Sequence, residues 1–170
     1  MQATAESFIN GWFKTGDLGY MDADNYLYVT GRSKAVINRG GEIIAPSEIE
    51  NALVSHPRVR SLVAFSTPHA LLQETIGVCV VAEPGMPRVG LQGLQAHAAL
   101  ELHPSKWPQL VVYASDLPKT ATGKAMRVRL DKRMALPEIS DETPERGRLF
   151  EAEMVPPGAP VQAPIPTAPL

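Results

Sequence analysis

The amino-acid pattern predicts a small α+β domain: an N-terminal β-hairpin, a three-stranded mixed sheet and two to three packing helices, followed by a disordered Pro-rich tail. Three observations carry this. Short apolar runs alternate with Gly, Asn and Asp turn signals through the first quarter of the chain, which is strand-and-turn chemistry. Two later stretches carry apolar residues at helical spacing. Beyond Leu136 the periodicity stops and proline becomes dense (Pro156, Pro157, Pro160, Pro164, Pro166, Pro169). The globular part is therefore expected over roughly residues 11–133.

The elements follow in order. Asp22-Ala23-Asp24-Asn25 is turn chemistry between Leu18-Gly19-Tyr20 and Tyr26-Leu27-Tyr28-Val29, so these form a hairpin. Ala35-Val36-Ile37-Asn38 and Glu42-Ile43-Ile44 flank Arg39-Gly40-Gly41 and make a second one. Ala45-Pro46-Ser47-Glu48-Ile49-Glu50 opens a helix, with Pro in the first turn and acidic residues at the positive end of the dipole. Ile49, Leu53 and Val54 face inward, and His56-Pro57 ends the helix. Residues 59–66 and 76–82 are strands, joined by a loop containing Pro68, His69, Gln73 and Glu74. Leu91, Leu94, Ala98 and Leu102 give residues 90–102 helical spacing. Leu110-Val111-Val112-Tyr113-Ala114 is the last core strand, and residues 126–134 form a basic, amphipathic helix.

Bulk properties narrow the function. The chain has 170 residues, of which 44% are hydrophobic, enough for one packed domain. A formal net charge of −2 gives no electrostatic case for nucleic acid or an anionic membrane as partner. The single cysteine, Cys79, lies in the apolar run Ile76-Gly77-Val78-Cys79-Val80-Val81 and reads as a core residue. With one cysteine no disulfide can form within the chain, which fits a reducing compartment. Met1-Gln2-Ala3-Thr4-Ala5-Glu6 lacks signal-peptide character, and no apolar run is long enough to cross a bilayer. Thr167-Ala168-Pro169-Leu170 matches no retention or peroxisomal address, so a cytoplasmic location is expected. His56, His69, His97 and His103 show no ligand spacing, so no metal site is expected.

The most informative segment is Leu117-Pro118-Lys119-Thr120-Ala121-Thr122-Gly123-Lys124-Ala125-Met126-Arg127. It follows an apolar strand. Pro118 stiffens its start, and Gly123 lets the backbone bend beside Lys124. A cation presented this way suits a reaction in which a carboxylate and a phosphate approach one another. Taken alone, the stretch fits a solvated loop lysine equally well.

Two further segments decide between those readings. Gly11-Trp12-Phe13-Lys14-Thr15-Gly16-Asp17-Leu18-Gly19 is one; Gly31-Arg32-Ser33-Lys34-Ala35-Val36-Ile37-Asn38-Arg39-Gly40-Gly41-Glu42, running on to Pro46-Ser47-Glu48-Ile49-Glu50, is the other. In this order and with the Lys124 segment they resemble the C-terminal part of the adenylate-forming, AMP-binding enzymes: acyl-CoA synthetases, adenylation domains of nonribosomal peptide synthetases, and luciferases. The Asn38-Arg39-Gly40-Gly41-Glu42 version leans towards acyl-CoA synthetases. In that family a carboxylic acid attacks the α-phosphate of ATP to give an acyl-adenylate and pyrophosphate, and a thiol then displaces AMP.

The resemblance implies specific roles. Lys124 would bridge the substrate carboxylate and the α-phosphate. Asp17 would hold the ribose hydroxyls, and Arg32 the ribose or phosphate region. Lys34 would be the hinge about which the C-terminal domain swings. Arg39, Gly40 and Gly41 would line the channel for the CoA or phosphopantetheine arm, with Lys106 near a CoA phosphate. Plainer alternatives stay open: a turn-capping Asp17, a surface Arg32, a solvated Lys34, a simple hairpin turn at Gly40-Gly41, and a Lys106 lying along the surface. His69 and Gln73 stand where Asp and Gly are more usual.

Domain organisation follows from the same comparison. Residues 1–10 are expected to be a stub, 11–33 the end of a preceding domain and hinge approach, 34–134 the lid domain, and 135–170 the tail. The large N-terminal domain, with its Ser/Thr/Gly-rich phosphate loop, is not in the sequence. The chain is thus expected to be the lid of an ATP-dependent acid–thiol ligase, inactive by itself. It would share ATP with Mg²⁺, CoA and a carboxylic acid with that domain, encoded in the same gene or a separate chain. A non-catalytic interaction module and the lid of a carrier-protein-loading adenylation domain are the alternatives.

Overall fold

A computed structural model describes residues 7–120, 122–136, 138–139 and, as backbone, 150–153. Its first two elements were not expected. Strands β1 (Phe8–Ile9) and β2 (Trp12–Phe13) pair antiparallel around Asn10 and Gly11, both at positive φ, so a tight turn lies across the expected boundary between residues 10 and 11. The next hairpin is the expected one: β3 (Asp17–Met21) pairs with β4 (Leu27–Arg32). Its turn is held by Asp22, whose Oδ1 accepts the N–H groups of Asp24 and Tyr26.

The remaining strands form one sheet. β5 (Ile37–Arg39) and β6 (Glu42–Ile44) are the Gly-Gly hairpin. The three-stranded mixed sheet is present as β7 (Val59–His69), β8 (Gln73–Ala82) and β9 (Leu110–Tyr113), with β7/β8 antiparallel and β8/β9 parallel. It grows to six strands because β5 joins β8 through Arg39 and Gln73, and because β10 (Phe150–Glu153) adds parallel to β9.

β7 and β8 are longer than the sequence predicts. Pro68, His69, Gln73 and Glu74 lie in the strands, leaving a loop of only residues 70–72. Pro68 marks a strand end in the sequence, but among the named strands β7 pairs only with β8, and on its outer side Pro68 needs only its carbonyl, which accepts the Ile139 N–H at 3.0 Å. The chain also continues past residue 134, where the sequence places the end of the lid. Ile139 is buried and bridges to His69, and β10 lies within the expected tail. The remainder of that tail falls outside the described residues.

Helices cover both faces of the sheet. On one, α1 (Pro46–Val54) and α2 (Leu91–Ala98) pack Ile49, Leu53, Leu91 and Leu94 against Ile76, Val78 and Val80. On the other, Val63, Phe65, Cys79 and Val112 meet Leu130 of α3 (Leu130–Arg133) and Ile139. The unbroken apolar run of β8 follows, since both of its sides are covered. Burial pushes the Cys79 thiol up to about 11, as suits a core residue.

Two helices are shorter than predicted. α2 ends at Ala98, and residues 99–102 continue only as turns. The basic helix expected over residues 126–134 is a single turn, because Arg129 stands at φ 57° and left-handed backbone cannot be extended as an α-helix.

Candidate functional site

The Lys124 loop is built by its own backbone. Met126 N–H donates to Pro118 O at 2.7 Å, and Lys119 and Ala125 form a β-bridge. Thr120 N–H donates to Lys124 O at 2.8 Å, and Gly123 N–H to Thr120 O at 2.9 Å. Thr120 Oγ1 accepts the Lys124 N–H at 3.2 Å. Gly123 takes φ 80°, the bend that glycine permits. The result is a small closed loop with Lys124 just past its tip. The Lys124 side chain is exposed and forms no ion pair among the described residues.

A residue the sequence did not single out ties this loop to the sheet. Glu50, on α1, accepts the Ala64 N–H of β7 at 2.8 Å through Oε1. Its Oε2 accepts from Arg127 Nη2 at 3.3 Å, three residues beyond Lys124. Both side chains are mostly buried, 19% and 28% exposed. Burial raises the Glu50 pKa, while the Ala64 N–H and the Arg127 charge pull it back down. The one available signal is Glu50's place beside the inward stripe of Ile49 and Leu53. Its partner stands 77 positions away, beyond any local pattern.

Asp17 and Arg32 are brought together. They face one another across β3 and β4, with Arg32 Nε 2.9 Å from Asp17 Oδ1. The Asp17 N–H donates to Thr15 Oγ1. Immediately after this pair, Ser33 donates both N–H and Oγ–H to Gly16 O, and Ala35 N–H donates to Arg32 O. Lys34 sits exposed in that turn, lining a shallow cleft with Ser66, Glu74, Arg127 and Lys132.

Arg39, Gly40 and Gly41 form the tight end of the β5–β6 hairpin. Gly40 and Gly41 take φ of 59° and 97°, so the two-residue turn by itself requires residues tolerant of left-handed backbone. Gly40 N–H donates to Leu72 O, and Asn38 Oδ1 accepts the Gly41 N–H. Arg39 is half-buried, its Nε without a hydrogen-bond partner among the described residues.

Lys106 lies in a single 3₁₀ turn (Pro104–Lys106) and pairs with Glu48 of α1 at 2.6 Å. Trp107 packs beneath that turn, its indole N–H donating to Leu102 O. No hydrogen bond or ion pair joins Lys124 to Asp17, Arg32 or Lys106 among the described residues.

The signature of the AMP-binding enzyme C-terminal domain matches residues 48–124, from α1 to the exposed lysine. Residues 48–124 are an AMP-binding enzyme C-terminal domain. The chain is 42% identical over 129 residues to a sulfoacetate–CoA ligase of Cupriavidus necator, and 41% over 126 residues to an oxalate–CoA ligase of Arabidopsis thaliana. These alignments cover 75% and 74% of this chain but only 25% and 24% of the relatives. Among solved structures, the o-succinylbenzoate CoA synthetase of Bacillus subtilis bound to its acyl-adenylate superposes with a TM-score of 0.66 at 33% identity, over 72% of this chain and 25% of that one. The chain thus spans about a quarter of the relatives it matches.

Proposed function

We propose that this chain is the mobile lid of an ATP-dependent acid–thiol ligase of the acyl-CoA synthetase type. The observation that carries the reading is Lys124: exposed, without an ion pair among the described residues, on a loop closed by its own hydrogen bonds. A fixed, unoccupied cation suits the moment when a carboxylate meets the α-phosphate of ATP. Two unit charges about 4 Å apart interact by roughly 4 kcal/mol at an effective dielectric near 20, a barrier term of about three orders of magnitude in rate. Lys124 between them offsets that repulsion.

In the same reading Asp17 accepts the ribose hydroxyls. Its pairing with Arg32 fixes its orientation while Oδ2 keeps acceptor capacity. Lys34 is the hinge, placed in an exposed turn that follows the nucleotide pair directly. After rotation, the Arg39-Gly40-Gly41 turn and Lys106 border the path of CoA or a phosphopantetheine arm. Lys106 would then exchange its contact with Glu48 for a phosphate. ATP would bring Mg²⁺ with it; the described residues of this chain contain no group of three or more side chains able to hold a metal ion.

The partner is a large N-terminal domain supplying the acid and adenine pockets, in the same gene or a separate chain. Strands β1–β4 support this. Trp12 is 81% exposed, and Phe13, Tyr20, Met21, Leu27 and Val29 are exposed on the same two hairpins, large apolar side chains that suit burial against a larger body.

The test is acid-dependent ATP–pyrophosphate exchange by this chain together with the upstream domain. Lys124→Ala is expected to slow adenylation by about 10²- to 10³-fold, the size of the charge term above, and to leave thioester formation from supplied acyl-adenylate within about threefold. Equal loss in both half-reactions would overturn the assignment.

A further inference from the structure

We infer that Glu50 and Arg127 are a positioning pair that sets the orientation of the Lys124 loop on the domain. The inference rests on the lid reading for its catalytic consequence, but the anchoring itself is read from the fold. The hydrogen bonds within residues 118–126 fix the internal shape of the loop. None of them fixes its angle to the sheet. Where the chain enters the loop, Leu117 packs against the core cluster of Val63 and Phe65; the second hold lies where the chain leaves it. Met126 closes the loop on Pro118, and the very next residue, Arg127, reaches Glu50.

Glu50 is a rigid anchor. It sits on α1 between Ile49 and Leu53, neighbours in the core, and its other oxygen is held by the Ala64 N–H of β7. One carboxylate thus joins a helix, a strand and the loop carrying the lysine. A charge-assisted contact between mostly buried partners is stronger and more directional than a surface ion pair. Such precision matters here, since a displacement of about 1 Å can cost on the order of a hundredfold in rate.

The experiment compares Glu50→Gln, Arg127→Gln and the double variant. Glutamine at position 50 keeps an oxygen for the Ala64 N–H and turns the acceptor facing Arg127 into an NH2 donor, so the charge and the contact with Arg127 are lost together. In the isolated chain, amide hydrogen exchange at Thr120, Gly123, Lys124 and Met126 is expected to quicken roughly three- to tenfold in each single variant, the range for one lost hydrogen bond. The double variant should be no faster than either single one, and exchange at Val78 and Cys79 in the core should not move.

With the upstream domain present, Glu50→Gln should lower kcat for adenylation by a similar factor. KM for ATP and acid should hold steady, and so should thioester formation. Unchanged loop exchange, additive effects in the double variant, or an equal fall in both half-reactions would overturn the inference. Lys124→Ala run alongside separates the two ideas: full adenylation activity in that variant sinks the lid reading and leaves the exchange result standing.

Discussion

At the scale of single residues, three glycines show how differently one residue type is used. Gly40 and Gly41 are required by the turn they make, since both stand at positive φ. A Cβ on Gly40 would also press on Leu72 at 3.1 Å, whereas the space beside Gly41 is open. Turn geometry therefore accounts for the pair before any role in a channel is invoked. Gly77 has ordinary backbone, and its constraint is a neighbour: a Cβ there would come within 2.7 Å of the Phe65 ring. The ring lies across the strand on the β7 partner directly opposite. Gly77→Ala is expected to lower stability by about 1–3 kcal/mol, the usual cost of overpacking a filled core. Denaturant titration checks this, and an unshifted midpoint contradicts the packing described.

At the scale of elements, the 3₁₀ turn at Pro104–Lys106 is strapped to the β6–α1 segment at two points. Lys106 pairs with Glu48, and Ser105 Oγ lies 3.4 Å from Glu42 Oε1. The strap holds a segment beside the Gly40-Gly41 turn, where the proposed thiol path runs. Because Glu48 is 41% exposed, the ion pair is screened by water. Lys106→Met is therefore expected to change stability by less than about 1 kcal/mol. In the complete ligase the same variant should raise KM for CoA severalfold without altering adenylation, which separate assays of the two half-reactions would show. An unchanged KM for CoA removes Lys106 from the thiol path.

At the scale of the whole molecule, the two helices on one face meet through a pair of histidines. The rings of His56 and His97 lie edge to face at 4.9 Å, and His97 Nε2 is 2.8 Å from Ser55 Oγ. Burial lowers the His56 pKa below its ordinary value of 6.5, aided by the charges of His97 and Arg58. The fold therefore binds a proton at His56 less readily than the unfolded chain does. The stability this gives is present above pH 6.5 and is lost as pH falls through the folded pKa. Glu50 works oppositely: its raised pKa gives stability below 4.5 that fades as pH rises through the folded value. Thermal melts are expected to show a decline below pH 6.5 that His56→Gln flattens; an unaltered decline assigns it to other groups. The sequence by itself determined the fold class, the turns of the β3–β4 and β5–β6 hairpins and the loop that presents Lys124, because period, glycine placement and turn chemistry act over a few residues. It did not bring Asp17 opposite Arg32: the Asp22–Asn25 turn sets a register in which Asp17 would face Gly31, and an irregularity between Leu18 and Gly19 shifts the pairing by one residue. Only the tertiary structure decided what holds Lys124 in place and what Lys106 touches. Those contacts join residues 77 and 58 positions apart, and a charged side chain finds such a partner only after the core has fixed where each helix and strand lies.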